Sequence, residues 1–233
     1  MKNSKAENFS RDHHLKFNDL NLLEIALTHS SYANEHRQHQ HNERLEYLGD
    51  AVLQLVISDY LYRHCPGQAE GFLTKVRSLV VREETLADLA RELKVNEALS
   101  LGYGEDHSGG ADNPANLADA MEAVIGAIYL DQGFAVVQEQ VIKWLHSYID
   151  RAISGKLIYD YKSKIHELAQ KHNAQLSFAL VAMEGPAHSS RFTVDCLWNN
   201  QRYGRGVASS KKQAEQLAAA ETLKLLAAKY NLT

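Results

Sequence analysis

Two short segments, far apart in the chain, each set carboxylates on one face of an apolar helix, and few folds accommodate both. The first is Asn42-Glu43-Arg44-Leu45-Glu46-Tyr47-Leu48-Gly49-Asp50-Ala51-Val52-Leu53. At about 100° per residue, Glu43, Glu46 and Asp50 fall within about 60° of one another, with Leu45, Leu48, Val52, Leu55 and Val56 on the opposite side. Alone, that pattern also describes a solvated surface helix. The second segment changes its meaning. Asp119 and Glu122 share a helix face at i, i+3, among Ala118, Ala120, Ala123, Gly126 and Ala127, small residues that let another backbone come close. Four carboxylates gathered in a protein interior would each cost several kcal/mol to desolvate. Hard divalent cations solve this, because Mg²⁺ or Mn²⁺ prefers carboxylate oxygen and keeps several waters. The competing four-carboxylate site, a di-iron bundle, calls for Glu-x-x-His on two helices. No Glu stands three residues before any of the twelve histidines.

The rest of the first 150 residues reads as helical, with no alternating strand pattern. Residues 15–35 predict short helices, with His29 as a satisfied structural histidine, and 36–41 an exposed polar loop. Asn42 is placed to cap a helix running to about Arg63. Amphipathic helices follow, one after Glu70-Gly71 with Leu73, Val76, Leu79 and Val80, and one over 83–93. The segment from Gly102 to Asp112 lacks the Lys-Ser/Thr ending of a phosphate-binding loop and predicts a mobile, irregular loop. Asn113-Pro114 opens the next helix and Gly133 ends it. Helix-like residues 134–151 close the domain.

Beyond Ser154-Gly155-Lys156, a flexible linker by composition, the pattern changes. A helix over 161–172 precedes alternating segments around 177–181, 191–198 and 202–207, then an alanine-rich helix over 211–229. The order is α-β-β-β-α. Charge divides at the same place: residues 1–158 carry 15 Lys/Arg against 23 Asp/Glu, and residues 159–233 carry 10 against 6. An acidic body that gathers cations and a basic tail that holds a polyanion fit this split. Only Cys65 and Cys196 are present, without paired spacing, so neither a disulfide framework nor a thiolate metal site is expected. The apolar runs are too short to span a bilayer, and residues 1–8 lack the apolar core of a signal peptide. The expectation is a cytoplasmic protein without membrane association.

Together, Glu43-Arg44-Leu45-Glu46-Tyr47-Leu48-Gly49-Asp50 and Leu117-Ala118-Asp119-Ala120-Met121-Glu122-Ala123-Val124-Ile125-Gly126-Ala127 resemble the two signature segments of bacterial ribonuclease III. The likeness extends through Ala26-Leu27-Thr28-His29-Ser30 and Gly104-Glu105. It implies two domains: an all-α catalytic and dimerisation domain over 1–153, then, past a linker at 154–158, an α+β double-stranded RNA-binding domain over 159–233. By this resemblance Glu46, Asp50, Asp119 and Glu122 form a Mg²⁺ cluster, in which Mn²⁺ can substitute, with Asp50 and Glu122 as the catalytic pair. Glu43 and Glu70 match family acids of the dimer interface or the outer shell of the site. The implied activity is two-metal hydrolysis of double-stranded RNA to 5′-phosphate and 3′-hydroxyl ends, by a homodimer without small-molecule cofactor, acting on precursors of ribosomal RNA and other structured RNAs. One departure is Ala111-Asp112, where the family usually places a basic residue after Gly-Gly.

The tail resembles a double-stranded RNA-binding domain through Gly185-Pro186-Ala187-His188 and Ala208-Ser209-Ser210-Lys211-Lys212-Gln213-Ala214-Glu215. That resemblance implies RNA contact by Ser163, Glu167, Gln170, His188, Ser210, Lys211 and Lys212, reading duplex shape more than sequence. Tyr161, His166 and Ala208 depart from the residues usual there. A binding-only alternative, with a catalytically silent dimerisation domain, is the reading to be distinguished.

Overall fold

The computed structural model of the chain describes residues 4–37, 40–157, 160–185 and 190–230. These divide into two compact units, Met1–Leu157 and Ile158–Thr233.

The first unit is entirely helical: α1 (Lys5–Asp12), α2 (Leu20–Ala26), α3 (Ser30–Glu35), α4 (Glu43–His64), α5 (Glu70–Val80), α6 (Glu83–Glu92), α7 (Val95–Ala98), α8 (Tyr103–His107), α9 (Pro114–Gln132) and α10 (Phe134–Ile153). Its centre is α9. Leu117, Ala120, Met121, Ala123, Val124, Ile125 and Ala127 are fully buried, so this helix is apolar nearly all round, as a helix enclosed by others must be. It packs against α2, α4, α6 and α10. Its ends follow the sequence signals: the Asn113 side chain accepts the Ala115 N–H, Pro114 takes the first helical position, and Gly133 closes the helix at φ +81°.

The crossing of α4 and α9 is the tightest in the unit. A Cβ on Gly49 would overlap the Glu122 carbonyl, and one on Gly126 would overlap the Leu45 carbonyl. Glycine is required at both positions because backbone meets backbone there. The contact falls within one turn of Glu46 on α4 and at Glu122 on α9.

Several local expectations are corrected. Asn42 makes no side-chain cap; it is buried, and its N–H donates to the Thr28 carbonyl at 2.9 Å. Leu55, expected on the apolar side of α4, is 56% exposed. The segment expected to be an irregular, mobile loop contains α8 and a 3-10 turn at Gly110–Asp112. Buried Asn116 of α9 holds it in place, donating to Glu105 Oε1 at 2.8 Å and to the Gly110 carbonyl at 3.1 Å. Helix α1 had no periodic signal long enough to read; Ser4 and Glu7 form a reciprocal capping box at its start. At the end of α10, Lys156 and Leu157 turn back onto the Arg151 carbonyl, with Gly155 at φ +69° and Leu157 buried.

The second unit comprises α11 (Tyr161–Lys171), an antiparallel sheet in the order β1 (Leu176–Glu184), β2 (Arg191–Trp198), β3 (Gln201–Ala208), and α12 (Lys211–Tyr230). Cys196 faces Phe178 and Gly204, and Val194 faces Leu180 and Gly206. Val194, Cys196 and Trp198 alternate into a core shared with Ile165 and Leu168 of α11 and Ala214, Ala218 and Leu226 of α12. Glycine again sets an approach: a Cβ on Gly204 or Gly206 would overlap the α12 backbone at Ala218 or Ala214. The fold class is thus an all-α unit followed by an α-β-β-β-α unit.

Candidate metal centre and nucleic-acid interface

Glu46, in the first turn of α4, and Asp119 and Glu122, one turn apart on α9, converge at the α4–α9 crossing. One carboxylate oxygen from each lies within 4.8 Å of the others. Asp50 sits one turn further along α4. It is exposed, and its Oδ1 accepts from Gln54 Nε2 at 3.3 Å. It is therefore a flank of the triad rather than a member of it in this arrangement.

The electrostatics are those of like charges forced together. Glu122 is pushed up to about 8, first by burial and then by the charges of Asp50, Asp119 and Glu46. Burial also raises Glu46, followed by repulsion from Asp119, Glu43 and Asp50. Asp119 is raised by burial and by Glu83 and Glu43, and lowered by His29. An apolar crossing that collects acids and offers them no Lys or Arg ion pair among the described residues suits a bound cation. The donor set, carboxylate only, suits a hard divalent ion.

Two residues act electrostatically on Asp119 without having been placed in the site from the sequence, where His29 was read as a satisfied structural histidine, and as the N-cap of α3 it is one. Glu83 stands at the start of α6, with no spacing relation to either acid segment. His29 lay inside a quoted family segment, but nothing in its pattern indicated a part in the site. Of the outer acids, Glu43 is exposed on the first turn of α4, 3.8 Å from His41 Nδ1. Glu70 begins α5 and accepts the Thr74 hydroxyl at 2.8 Å. The three acids of the triad are each half-buried. A recess of about 870 Å³ lined in part by Lys5, Glu24, Thr28, Tyr32, Arg37 and Asp106 includes none of the four acids.

In the second unit Ser163, Glu167 and Gln170, spaced i, i+4, i+7, are all exposed on α11. The Ser163 hydroxyl is already engaged, donating to Asp160 Oδ2 at 2.7 Å, and Glu167 lies 3.7 Å from Lys164. Ser210 precedes α12, and its Oγ accepts the Gln213 N–H at 3.2 Å, which makes it a helix cap. Lys211 and Lys212 are exposed at the first two positions of α12. There the helix N–H groups and the ammonium charges can act on one anion. His188 lies outside the described residues.

An acid-clustered helical unit followed by an α-β-β-β-α unit defines the class: a nuclease that carries its own duplex-binding module. Residues 19–149 match the ribonuclease-III-like family and residues 161–226 the double-stranded RNA binding motif. Ribonuclease 3 of Syntrophomonas wolfei is 46% identical, over 94% of this chain and 94% of its own length. Ribonuclease 3 of Pelotomaculum thermopropionicum is also 46% identical, over 90% of this chain and 88% of its own. Among solved structures, the nuclease domain of ribonuclease III from Campylobacter jejuni is similar at a TM-score of 0.57 and 38% identity, covering 63% of this chain and 96% of that one. A second structure of that domain, with TM-score 0.57, 37% identity and coverage of 61% and 96%, is described as flexible in the region involved in dimer formation. The chain belongs to the ribonuclease III family. It is an endoribonuclease of double-stranded RNA, which sets aside the binding-only alternative.

The raised Glu122 carboxyl has a consequence for the metal-free protein. Its proton is held in the folded state between about pH 4.5 and about pH 8 but released in the unfolded chain. Stability from this group is complete below the unfolded pKa and is lost as pH rises through the folded one. Glutamine copies the protonated form at every pH. In chelator, Glu122→Gln is expected to leave the melting temperature of the nuclease unit unchanged near pH 4 and raise it by roughly 2–8 °C at pH 8.5, corresponding to about 1–2 kcal/mol. Thermal denaturation across that pH range measures it.

Proposed function

We propose that this endoribonuclease uses Mg²⁺, replaceable by Mn²⁺, held by Glu46, Asp119 and Glu122 with Asp50 joining from the flank, and that it cuts duplex RNA as a homodimer. The observation that carries the reading is the convergence of three carboxylates from two helices within 4.8 Å. Two bound cations would make a water nucleophilic near neutral pH and stabilise the leaving 3′ oxygen, giving 5′-phosphate and 3′-hydroxyl ends.

The residues of the chain do the holding and orienting. Glu46 is fixed by the first turns of α4, Asp119 and Glu122 by buried α9, and the glycine contact sets the separation of the two helices. Asp50 and Glu122 are assigned as the catalytic pair. The repulsion that raises Glu122 names Asp50 ahead of the other acids, so the two share one electrostatic site. A flank position leaves Asp50 free to turn inward when charge or substrate arrives. Glu43, coupled to Glu46 and Asp119, belongs to the outer charge shell. Glu70 is assigned to the dimer interface or that shell by resemblance alone.

The homodimer reading rests on α4. Tyr47, Leu55 and Tyr62 are 83%, 56% and 78% exposed, and their spacing places them on one face of the helix, beside the acid face. Exposed aromatic and aliphatic side chains in one stripe suit a protein partner, and a second copy would give two sites for the two strands of a duplex. A cluster whose acids are only half-buried suits so wide a substrate. Structured precursors, ribosomal RNA among them, and the cytoplasm, where such precursors are met, complete the reading.

The test uses duplex RNA with wild type and Glu122→Gln, in Mg²⁺ and in chelator. Wild type with Mg²⁺ is expected to cut; the variant is expected to bind the duplex with unchanged affinity and to cleave at least 100-fold more slowly, on the scale of losing a transition-state contact. Cleavage by wild type in chelator, or undiminished cleavage by the variant, would overturn the assignment. For the tail, replacing Lys211 and Lys212 by Ala is expected to weaken duplex binding and to lower the slope of log affinity against log salt by roughly 1–2. An unchanged slope would remove that surface from the phosphate contact.

A further inference from the structure

Two helices of the second unit are tied together beside the lysines of the candidate phosphate contact. The Lys162 N–H, in the first turn of α11, donates to Gln216 Oε1 of α12 at 3.0 Å, and Gln216 Nε2 donates to Asp160 Oδ1 at 3.0 Å. Asp160 Oδ1 also accepts the Ser163 N–H at 3.0 Å, so the cap of α11 and the second turn of α12 share one carboxylate. The Lys162 ammonium then reaches the residue before Gln216: its Nζ donates to Glu215 Oε2 at 2.7 Å. It also lies 5.3 Å from the centre of the Phe178 ring of β1, which packs against the core. Backbone, carboxylate and ring thus fix one cation between α11, α12 and β1.

The placement of Glu215 gives this tie a use. Residues three and four apart on a helix are neighbours, and Glu215 stands three residues after Lys212 and four after Lys211. It is the carboxylate that either lysine would ordinarily capture, and a negative charge one turn from the place where a phosphate would arrive. Among the described residues neither lysine is in an ion pair, and Glu215 engages Lys162 instead. The Glu215 side chain is only 14% exposed, against 38% for Lys162, so its charge is less screened than one on the open surface. We propose that Lys162 is a positioning residue of the duplex interface: it occupies and neutralises Glu215, which leaves Lys211 and Lys212 free for phosphate. The inference rests on Lys211 and Lys212 being the phosphate contact, and it adds a lysine that acts through them rather than on the RNA itself.

The test separates charge from scaffold. Full-length protein in chelator binds an RNA duplex of about 16 bp or more, and affinity is measured across a salt series alongside melting temperature. Lys162→Gln frees Glu215 to take one lysine. It is expected to lower affinity roughly 5- to 10-fold at about 0.1 M salt, and the slope of log affinity against log salt by about 0.9, the size of one lost phosphate contact. Lys162→Gln/Glu215→Gln removes the carboxylate as well and is expected to regain wild-type affinity and slope. Lys162→Arg keeps a cation and is expected to stay near wild type. With every variant held well below its melting temperature, the slope does not respond to stability. Wild-type affinity and slope in Lys162→Gln, with Lys211→Ala/Lys212→Ala losing both, would overturn the role of Lys162 and leave the phosphate contact standing. A loss in Lys162→Gln that Glu215→Gln does not relieve would also overturn it, making Lys162 a direct phosphate contact. A wild-type slope in Lys211→Ala/Lys212→Ala would overturn the phosphate contact and the role of Lys162 with it.

Discussion

Repulsion among carboxylates held together by a backbone contact is the constraint on which the nuclease unit depends. The α4–α9 crossing closes on Gly49 and Gly126, and no side chain fits between them. That closeness delivers Glu46 to Asp119 and Glu122, in surroundings that raise the pKa of each carboxyl above its ordinary value. Without a cation the arrangement is unfavourable whenever the acids are ionised. The buried apolar surface of α9 and the packing of α2, α4, α6 and α10 around it hold the acids in place against their repulsion. Stability spent in the scaffold thus preorganises the site, the usual relation between a rigid core and a strained functional centre.

The two units divide the work between charge signs. An acidic helical body suits cations, and a basic tail suits the phosphate backbone. In the tail, α12 lies close on β3 through Gly204 and Gly206, and this approach fixes the start of the helix where Lys211 and Lys212 stand exposed. Ser210 caps that start, so its hydroxyl serves the helix first. Ser163 similarly gives its hydroxyl to Asp160. Both serines illustrate how a residue at a helix terminus can satisfy the backbone while remaining near a binding surface.

Much of this was legible in the sequence because helix periodicity carries it. Glu46, Asp119 and Glu122 could be placed on faces from spacing alone, and the small residues around Asp119 announced a close helix neighbour. Gly126 was read that way; its counterpart Gly49 was not, because a lone glycine within a helix has no periodic signature. Asp50 shares a face with Glu46 by the same arithmetic, yet it stands at the flank, since position along the helix axis matters as much as angle. Glu83 and His29 act on Asp119 electrostatically from other elements, which no local pattern encodes. The Gly102–Asp112 segment looked irregular because the contacts that order it come from Asn116, beyond its own end. Asn42 looked like a cap and is instead a buried link to Thr28, a long-range use of a backbone N–H that composition cannot reveal.

The most direct test of the central claim is proton release on metal binding. With Glu122 pushed up to about 8, the metal-free cluster at pH 7 retains close to one proton, and cation binding must displace it. Mn²⁺ titration calorimetry in buffers of different ionisation enthalpy measures that number. Release of close to one proton at pH 7, falling toward zero above pH 9 and absent in Glu122→Gln, is the expected result. Binding heats independent of the buffer at pH 7 would show that the acids are not crowded into shared repulsion, and would contradict it.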